Sequence, residues 1–458
     1  MSTKKAIAKM HAAVIAIIII IAVIAGVAYY YTTLPGPTPT PATPTPKTPT
    51  PATPTPATPT PATPTPATPT PATPTPATPT PTPTPSVPIK IGVVGELTGP
   101  WAYSGTGQLE GLNFAVEKIN KMGGVLGRRI ELVVTDSKSD TSEAITLFRR
   151  LVEVDKVSAV IGGVSSSVAI SLSAEAEKAK VPTIMSWAAS ERVHTKNSSY
   201  IFRSPVQLTP PVMQGVTEYI KSKGYKRVGM LIADYAFGRS VEANLKKFLE
   251  AIPGAQVTVE AAPVGETDFT SYIRKLQAFN PEILVNGHPP GGASAVKQMI
   301  EMGMEVEVII AYAPDWTELW GALREDAFRI RVIHVWGSFD PSNPDYIKVA
   351  EEFREKVGKF MDISQVVGYI QVNLLAEAIK NANSAEPEKI RTALSQISYR
   401  SFIAFPMSYT PWGEFKEQRI VLTVFKPGPP PGNVNPLAAW HPEAIYISPP
   451  LEPYVPAA

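Results

Sequence analysis

The sequence predicts an α/β protein with parallel sheets covered by helices, preceded by a transmembrane helix and a polyproline II stalk. Three observations predict this. From Val87 onward, short apolar runs alternate with amphipathic stretches; a Pro-Ala-Thr-Pro-Thr-Pro repeat fills the chain from about Pro35 to Pro85; and an apolar segment, Ala12 to Ala28, precedes the repeat.

The apolar segment is flanked by Lys4, Lys5 and Lys9 before it and Tyr29, Tyr30 and Tyr31 after it. With the tyrosines it is about 20 residues long, enough to cross a hydrocarbon core of about 30 Å. Lysines favour the cytoplasmic side and tyrosines the interface, so residues 1–11 are expected inside and 12–31 as the anchor. A cleaved signal peptide ending at Gly26-Val27-Ala28 is the competing reading. The apolar run exceeds the usual signal length, however, and cleavage would leave the stalk tethering nothing.

The stalk, 32–86, follows from proline chemistry. Proline fixes φ near −65° and removes a backbone donor, so a Pro/Thr alternation makes neither helix nor sheet. It stays in extended polyproline II. At roughly 3.1 Å per residue it reaches on the order of 150 Å as a semi-rigid spacer. Such tracts also suit O-glycosylation.

The formal net charge of +2 and the lack of a basic run beyond the N-terminus give no reason to expect a nucleic-acid partner. With no cysteine there is no lipid-anchor site, disulfide or cysteine metal site.

In the remaining region the expected strands are Ile89–Val94, Ile130–Thr135, Ala159–Ile161, Pro182–Met185, Arg227–Ile232, Val257–Ala261, Ile283–Val285 and Val332–Val335, with a last one at Ile420–Phe425. Helical stretches such as Gly107–Lys121, Ser142–Glu153 and Val168–Lys178 fall between them. This alternation argues for parallel sheets buried on both faces. Ligands on such sheets bind beyond the carboxyl ends of strands.

The loops at those ends are distinctive. They read Gly95-Glu96-Leu97-Thr98-Gly99-Pro100-Trp101, Ile119-Asn120 followed by Gly123-Gly124-Val125-Leu126-Gly127, Ile161-Gly162-Gly163-Val164-Ser165-Ser166-Ser167, and Met185-Ser186-Trp187-Ala188-Ala189-Ser190. In that order they resemble the type I periplasmic solute-binding proteins of ABC importers, the leucine/isoleucine/valine-binding receptor family, from about Ile89 to beyond Val424. The resemblance implies two Rossmann-like lobes joined by a three-strand hinge and closing over a ligand. It places lobe 1 at 87–204 plus 338–398, lobe 2 at 205–337 plus 399–440, and an irregular tail at 441–458. It also implies an ABC permease and its ATPase subunits as partners, a small amino acid or amide as ligand, and no cofactor. Together with the anchor, the stalk and the missing lipid-anchor cysteine, it suggests an archaeal surface protein.

The resemblance carries roles to matching positions. Ser165 and Ser166 would take a ligand carboxylate at a helix start, where free N–H groups favour anions. They could equally cap only their own helix. Ala188 and Ser190 stand where the family accepts from a ligand ammonium and donates to its carboxylate, and each also reads as a turn or cap residue. Asp315, in Tyr312-Ala313-Pro314-Asp315-Trp316, stands where the family puts an acid that pairs the ammonium, but it could also cap a helix at Thr317. Phe237 replaces a usual tyrosine over the ligand. Trp101 and Tyr103 could cover the other face or simply pack, and Tyr369 is a further candidate. His288, before Pro289-Pro290, departs from a family aromatic and reshapes the pocket.

No catalytic set emerges. His11, His194, His288, His334 and His441 form no metal-ligand spacing. The Gly-Gly-Val-Ser-Ser loop is not a nucleophile elbow. Asp136 and Asp140 could pair on a metal, but Asp140 reads more simply as a helix cap. A non-enzymatic receptor is expected. A sensor ectodomain and an adhesive surface protein remain as alternatives on the same fold.

Overall fold

The computed structural model describes residues 87–456 apart from 207, 336–338, 404, 431–438 and 452. The expected cytoplasmic N-terminus, anchor and stalk lie outside the described residues.

Parallel strands are buried on both faces, and β1 (Ile89–Gly95) shows how. With β2 (Ile130–Asp136), β3 (Ala159–Gly162), β4 (Thr183–Met185) and β5 (Ile201–Arg203) it makes a parallel sheet of order β2-β1-β3-β4-β5. Alternate residues serve different cores. Ile91, Val93 and Ile161 join the cluster holding Leu112 and Ala115 of α1 (Ala102–Lys121). Val94, Val160 and Met185 join Phe148 of α2 (Thr141–Glu153) and Leu172 of α3 (Ser166–Ala179). Asp140 caps α2 by accepting from Glu143 N–H at 2.8 Å, the simpler of its two readings.

The Ile-Asn-x-x-Gly-Gly motif ties α1 to β2. Asn120 donates to the Ile130 carbonyl at 2.9 Å and accepts its N–H at 2.8 Å. Gly124 has φ 78°, and a Cβ there would overlap the Arg128 carbonyl. Only glycine fits such a turn without strain.

The second sheet has the order β12-β11-β10-β9-β8-β6-β7. Strands β6 (Arg227–Ala233), β7 (Gln256–Ala262), β8 (Ile283–Gly287), β9 (Glu307–Ile310) and β10 (Val332–Val335) are parallel. Strands β11 (Val421–Pro427) and β12 (Trp440–Ile447) complete the sheet in antiparallel fashion. Its helices are α4 (Thr209–Ser222), α5 (Ala236–Leu249), α6 (Thr270–Phe279), α7 (Gly292–Glu301), α8 (Trp316–Leu323) and the short α9 (Asp326–Arg329).

After β10 the chain returns to the first sheet as α10 (Pro344–Val357), α11 (Ile363–Ala382) and α12 (Pro387–Gln396). Phe353 of α10 meets Phe114 of α1 edge to face. A Cβ on Gly111 or Gly368 would overlap the facing backbone of α11 or α1, so these glycines let the two helices touch. The chain then passes back to β11. Its crossing segments lie side by side: Arg203 N–H donates to Gly413 O at 3.1 Å, and Phe339 bridges Ile403.

The stretch expected as an irregular tail is different. Residues Trp440–Ile447 form β12, and Leu451 N–H reaches Gln418 O at 2.8 Å. Pro442 obscured the strand, but β12 is the sheet edge, where a missing donor is tolerated. Trp440 docks in the second lobe, stacked 5.9 Å from Trp316.

Candidate functional site

The carboxyl ends of strands from both sheets converge on one narrow slot. From the first lobe come Trp101 and Ser104 after β1, Val164 and Ser166 after β3, and Trp187 after β4. From the second come Tyr235 and Phe237 after β6, Pro289 after β8, and Tyr312 and Ala313 after β9. The slot is nearly closed: its cavity volume is about 20 Å³, room for about one water, so a solute must part its walls to enter.

The rings brace one another, one pair across the cleft and one within the second lobe. Trp101 lies 5.2 Å from Tyr235, and Phe237 meets Tyr312 edge to face at 5.7 Å. Tyr312 holds φ 73°. A bulky residue in that region stores on the order of 1–3 kcal/mol of strain, a feature that clusters at ligand clamps. Few polar groups enter. Ser104 and Ser166 bring hydroxyls, and Trp187, only 7% exposed, has an indole N–H without a partner.

Behind the slot the loops are rigid. Asp136 accepts Leu97 N–H at 3.0 Å and the Thr98 hydroxyl at 2.7 Å, so it clamps the Leu-Thr-Gly-Pro loop rather than pairing with Asp140 on a metal. Gln108 of α1 donates to both Ser186 and Gln371 at 2.7 Å, which fixes the end of β4. Among the described residues no group of three or more His, Asp or Glu is placed to hold a metal ion.

Of the residues singled out from the sequence, Trp101, Ser166 and Phe237 line the slot. Ser165 adjoins it but caps α3, accepting Val168 N–H at 3.3 Å, while its own N–H goes to Glu96 at 2.8 Å. Ser190 caps the short 3₁₀ turn that follows it and donates its N–H to Ser166 Oγ at 3.3 Å. The Ala188 carbonyl, expected to meet a ligand ammonium, accepts from Arg203.

His288 is fully buried away from the slot. It accepts Gly291 N–H at Nδ1 and bonds Pro263 O through Nε2, and burial lowers its pKa. It therefore shapes the loop that presents Pro289. Tyr369 packs in the first lobe, 5.7 Å from Phe114 and 5.9 Å from Phe402.

Asp315 and Tyr103 belong to a separate contact between the lobes. Tyr103, 47% exposed, reaches Thr317 Oγ1 at 2.6 Å. Thr317 gives its own hydroxyl proton and its N–H to Asp362 Oδ2 at 2.8 and 2.7 Å, so the tyrosine is the donor. Asp315 accepts Ser364 N–H at 3.3 Å, and its other oxygen has no partner. Burial first, then the neighbouring carboxylate, raises Asp315 well above the usual range. Asp362 is raised by burial, against hydrogen bonds that lower it. Glu318 nearby is pushed up to about 7 by burial and by Asp362.

Sequence reasoning missed Ser104, Val164, Trp187, Tyr235, Pro289, Tyr312 and Ala313. A usable signal was position alone: most of them follow a strand end by a few residues.

The sequence model of the periplasmic binding protein family matches residues 88–425. The chain belongs to the periplasmic binding protein family. Similar members include a leucine-, isoleucine-, valine-, threonine- and alanine-binding protein of Pseudomonas aeruginosa, 28% identical over 316 residues, covering 67% of this chain and 82% of the relative. A Leu/Ile/Val-binding protein homolog of Brucella suis is 23% identical over 345 residues, covering 74% and 91%. Among solved structures, a leucine-binding protein of Thermotoga maritima superposes with a TM-score of 0.68 at 22% identity, covering 78% of this chain and 98% of its own. A benzoate-bound solute-binding protein of R. palustris gives 0.69 at 18%, covering 80% and 98%. These likenesses show that this periplasmic binding protein shares its α/β fold with those structures.

Proposed function

We propose that this periplasmic binding protein is the solute receptor of an ABC importer and that it closes on a small amino acid with an apolar side chain, a branched-chain amino acid foremost. The observation that carries the reading is the slot. Strand ends of both lobes meet there, five aromatic rings surround it, and the polar groups are few and lie mostly on the first lobe. A ligand touching both lobes favours the closed state by its differential affinity, which is the signal a permease and its ATPase subunits read. Relatives named for leucine, isoleucine and valine support the solute class. The apolar segment 12–31 and the Pro/Thr stretch 32–86 support a receptor tethered outside the membrane on a long stalk.

A second reading, an aromatic carboxylate, is favoured by the ring-lined walls and by the benzoate complex of similar fold. Thermal unfolding of the detergent-solubilised full chain separates them. A true ligand at about 100 times its Kd adds about 2.7 kcal/mol and raises the midpoint by several degrees. A rise with leucine, isoleucine or valine and none with benzoate is expected. A rise with benzoate alone would replace the first reading by the second.

A further inference from the structure

The acid expected to pair a ligand amine, Asp315, stands outside the slot, and a different carboxylate adjoins it. Glu96 follows β1 and is fully buried. Its Oε1 accepts the N–H of Ser165 at 2.8 Å, and Ser165 sits between two slot-lining residues, Val164 and Ser166. Its main chain packs on α1, where a Cβ on Gly105, next to slot-lining Ser104, would overlap the Glu96 backbone carbonyl. Its second oxygen, Oε2, is buried and meets no donor within hydrogen-bond distance among the described residues. A buried acceptor left without a donor costs free energy, and such a group in a native site calls for an explanation.

We propose that Glu96, not Asp315, is the residue that receives the amine of the bound solute and so selects amine-bearing solutes over simple carboxylates. This rests on the amino-acid reading of the slot. The N-terminus of α3 favours an anion, but the Ser165 N–H is already taken by a resident carboxylate. A solute carboxylate settling at Ser166 therefore meets a neighbouring like charge unless something neutralises Glu96. An ammonium on the same solute does so and fills the vacant acceptor; a solute without an amine leaves Glu96 to take up a proton instead.

The electrostatics agree with this placement. Burial pushes Glu96 up to about 7 against the hydrogen bonding of Ser165 and the Val164 backbone, and the titratable groups facing it are Asp136 from β2 and Tyr235 from the opposite lobe. Tyr235, a wall of the slot, is held protonated by burial and by the Glu96 charge.

The test is calorimetric titration of the full chain with leucine and with 4-methylpentanoate, the same skeleton lacking the amine. At about pH 8, where Glu96 is ionised, the native protein is expected to prefer leucine by about tenfold or more. Glu96→Gln keeps an oxygen for Ser165 N–H but puts a donor in place of Oε2, so the preference should collapse. Asp315→Asn should keep it. In the native protein the preference should also shrink as pH falls through about 7. A preference untouched by E96Q and by pH, or abolished by D315N, overturns the assignment while leaving the amino-acid reading intact. A native protein that binds neither compound nor any other amino acid overturns both. Should E96Q fail to fold, the pH series and D315N still decide.

Discussion

Among the buried polar contacts at the junction of the lobes, two carry clustered ionisable groups and differ in how their charge is balanced. Beside the crossing segments, Arg203 at the end of β5 meets Glu414 at 2.7 Å, donates to the Ala188 carbonyl and lies 3.0 Å from His194 Nδ1. Burial raises Glu414 but Arg203 opposes it, and His194 is kept neutral by burial and by the arginine. At the other contact Asp315, Asp362 and Glu318 gather with no cation, and a neighbouring carboxylate adds to burial at Asp315 and Glu318. In the first a buried cation balances the carboxylate. The second is favoured while its carboxyls stay neutral.

Arg203→Met should be the most damaging change at either contact, because it leaves Glu414 buried without its cation. Removing one partner of a buried ion pair typically costs about 3–5 kcal/mol, so the unfolding midpoint should fall by roughly 10 °C. Replacing both partners with apolar residues should recover most of that loss, because no charge is then stranded. Chemical denaturation of the three proteins measures it. A cost below about 1 kcal/mol for the single change would mean the pair is solvated and the contrast unfounded.

The acid contact should respond to pH instead. Its carboxyls are raised in the folded protein, with Glu318 at about 7. Their contribution is full below the ordinary carboxylate range near 4 and is lost as pH rises through about 7. The unfolding midpoint is therefore expected to be higher near pH 5 than near pH 8, by a few degrees. Glu96 titrates in the same window, so Asp315→Asn isolates the contact. Its profile should be flatter than that of the native protein, and an identical profile would remove the acids from the account.

How much of this was legible beforehand differs between fold and site. The strands expected from apolar runs are all present within two residues at each end, because parallel strands buried on both faces leave a continuous apolar signal. The strands missed were β5 and β9, too short to stand out, and β12, interrupted by Pro442. At the site, Trp101, Ser166 and Phe237 were recoverable because each follows a strand end by a few residues, in the loop or the first turn of the next helix. Asp315 also follows one, yet only three-dimensional packing could reveal that it turns toward Ser364 rather than the slot. Glu96 was invisible for the opposite reason. It sits inside a quoted loop, but an orphaned oxygen is a property of packing and not of residue order.

The smallest effect tests whether Tyr103 reads the ligand or holds the lobes. Its hydroxyl meets Thr317 across the cleft, and the residue is half exposed. An exposed neutral hydrogen bond contributes about 0.5–1 kcal/mol at most. If Tyr103 only biases closure, Tyr103→Phe lowers the closed fraction, and apparent affinity falls with that fraction, by about twofold to fivefold for every solute alike. If instead its ring or hydroxyl touched solute, the loss would vary with the solute's shape and polarity. Titrating leucine, isoleucine, valine and alanine against the variant separates the cases. A uniform loss is expected, since Tyr103 lies outside the slot and its bond runs from one lobe to the other.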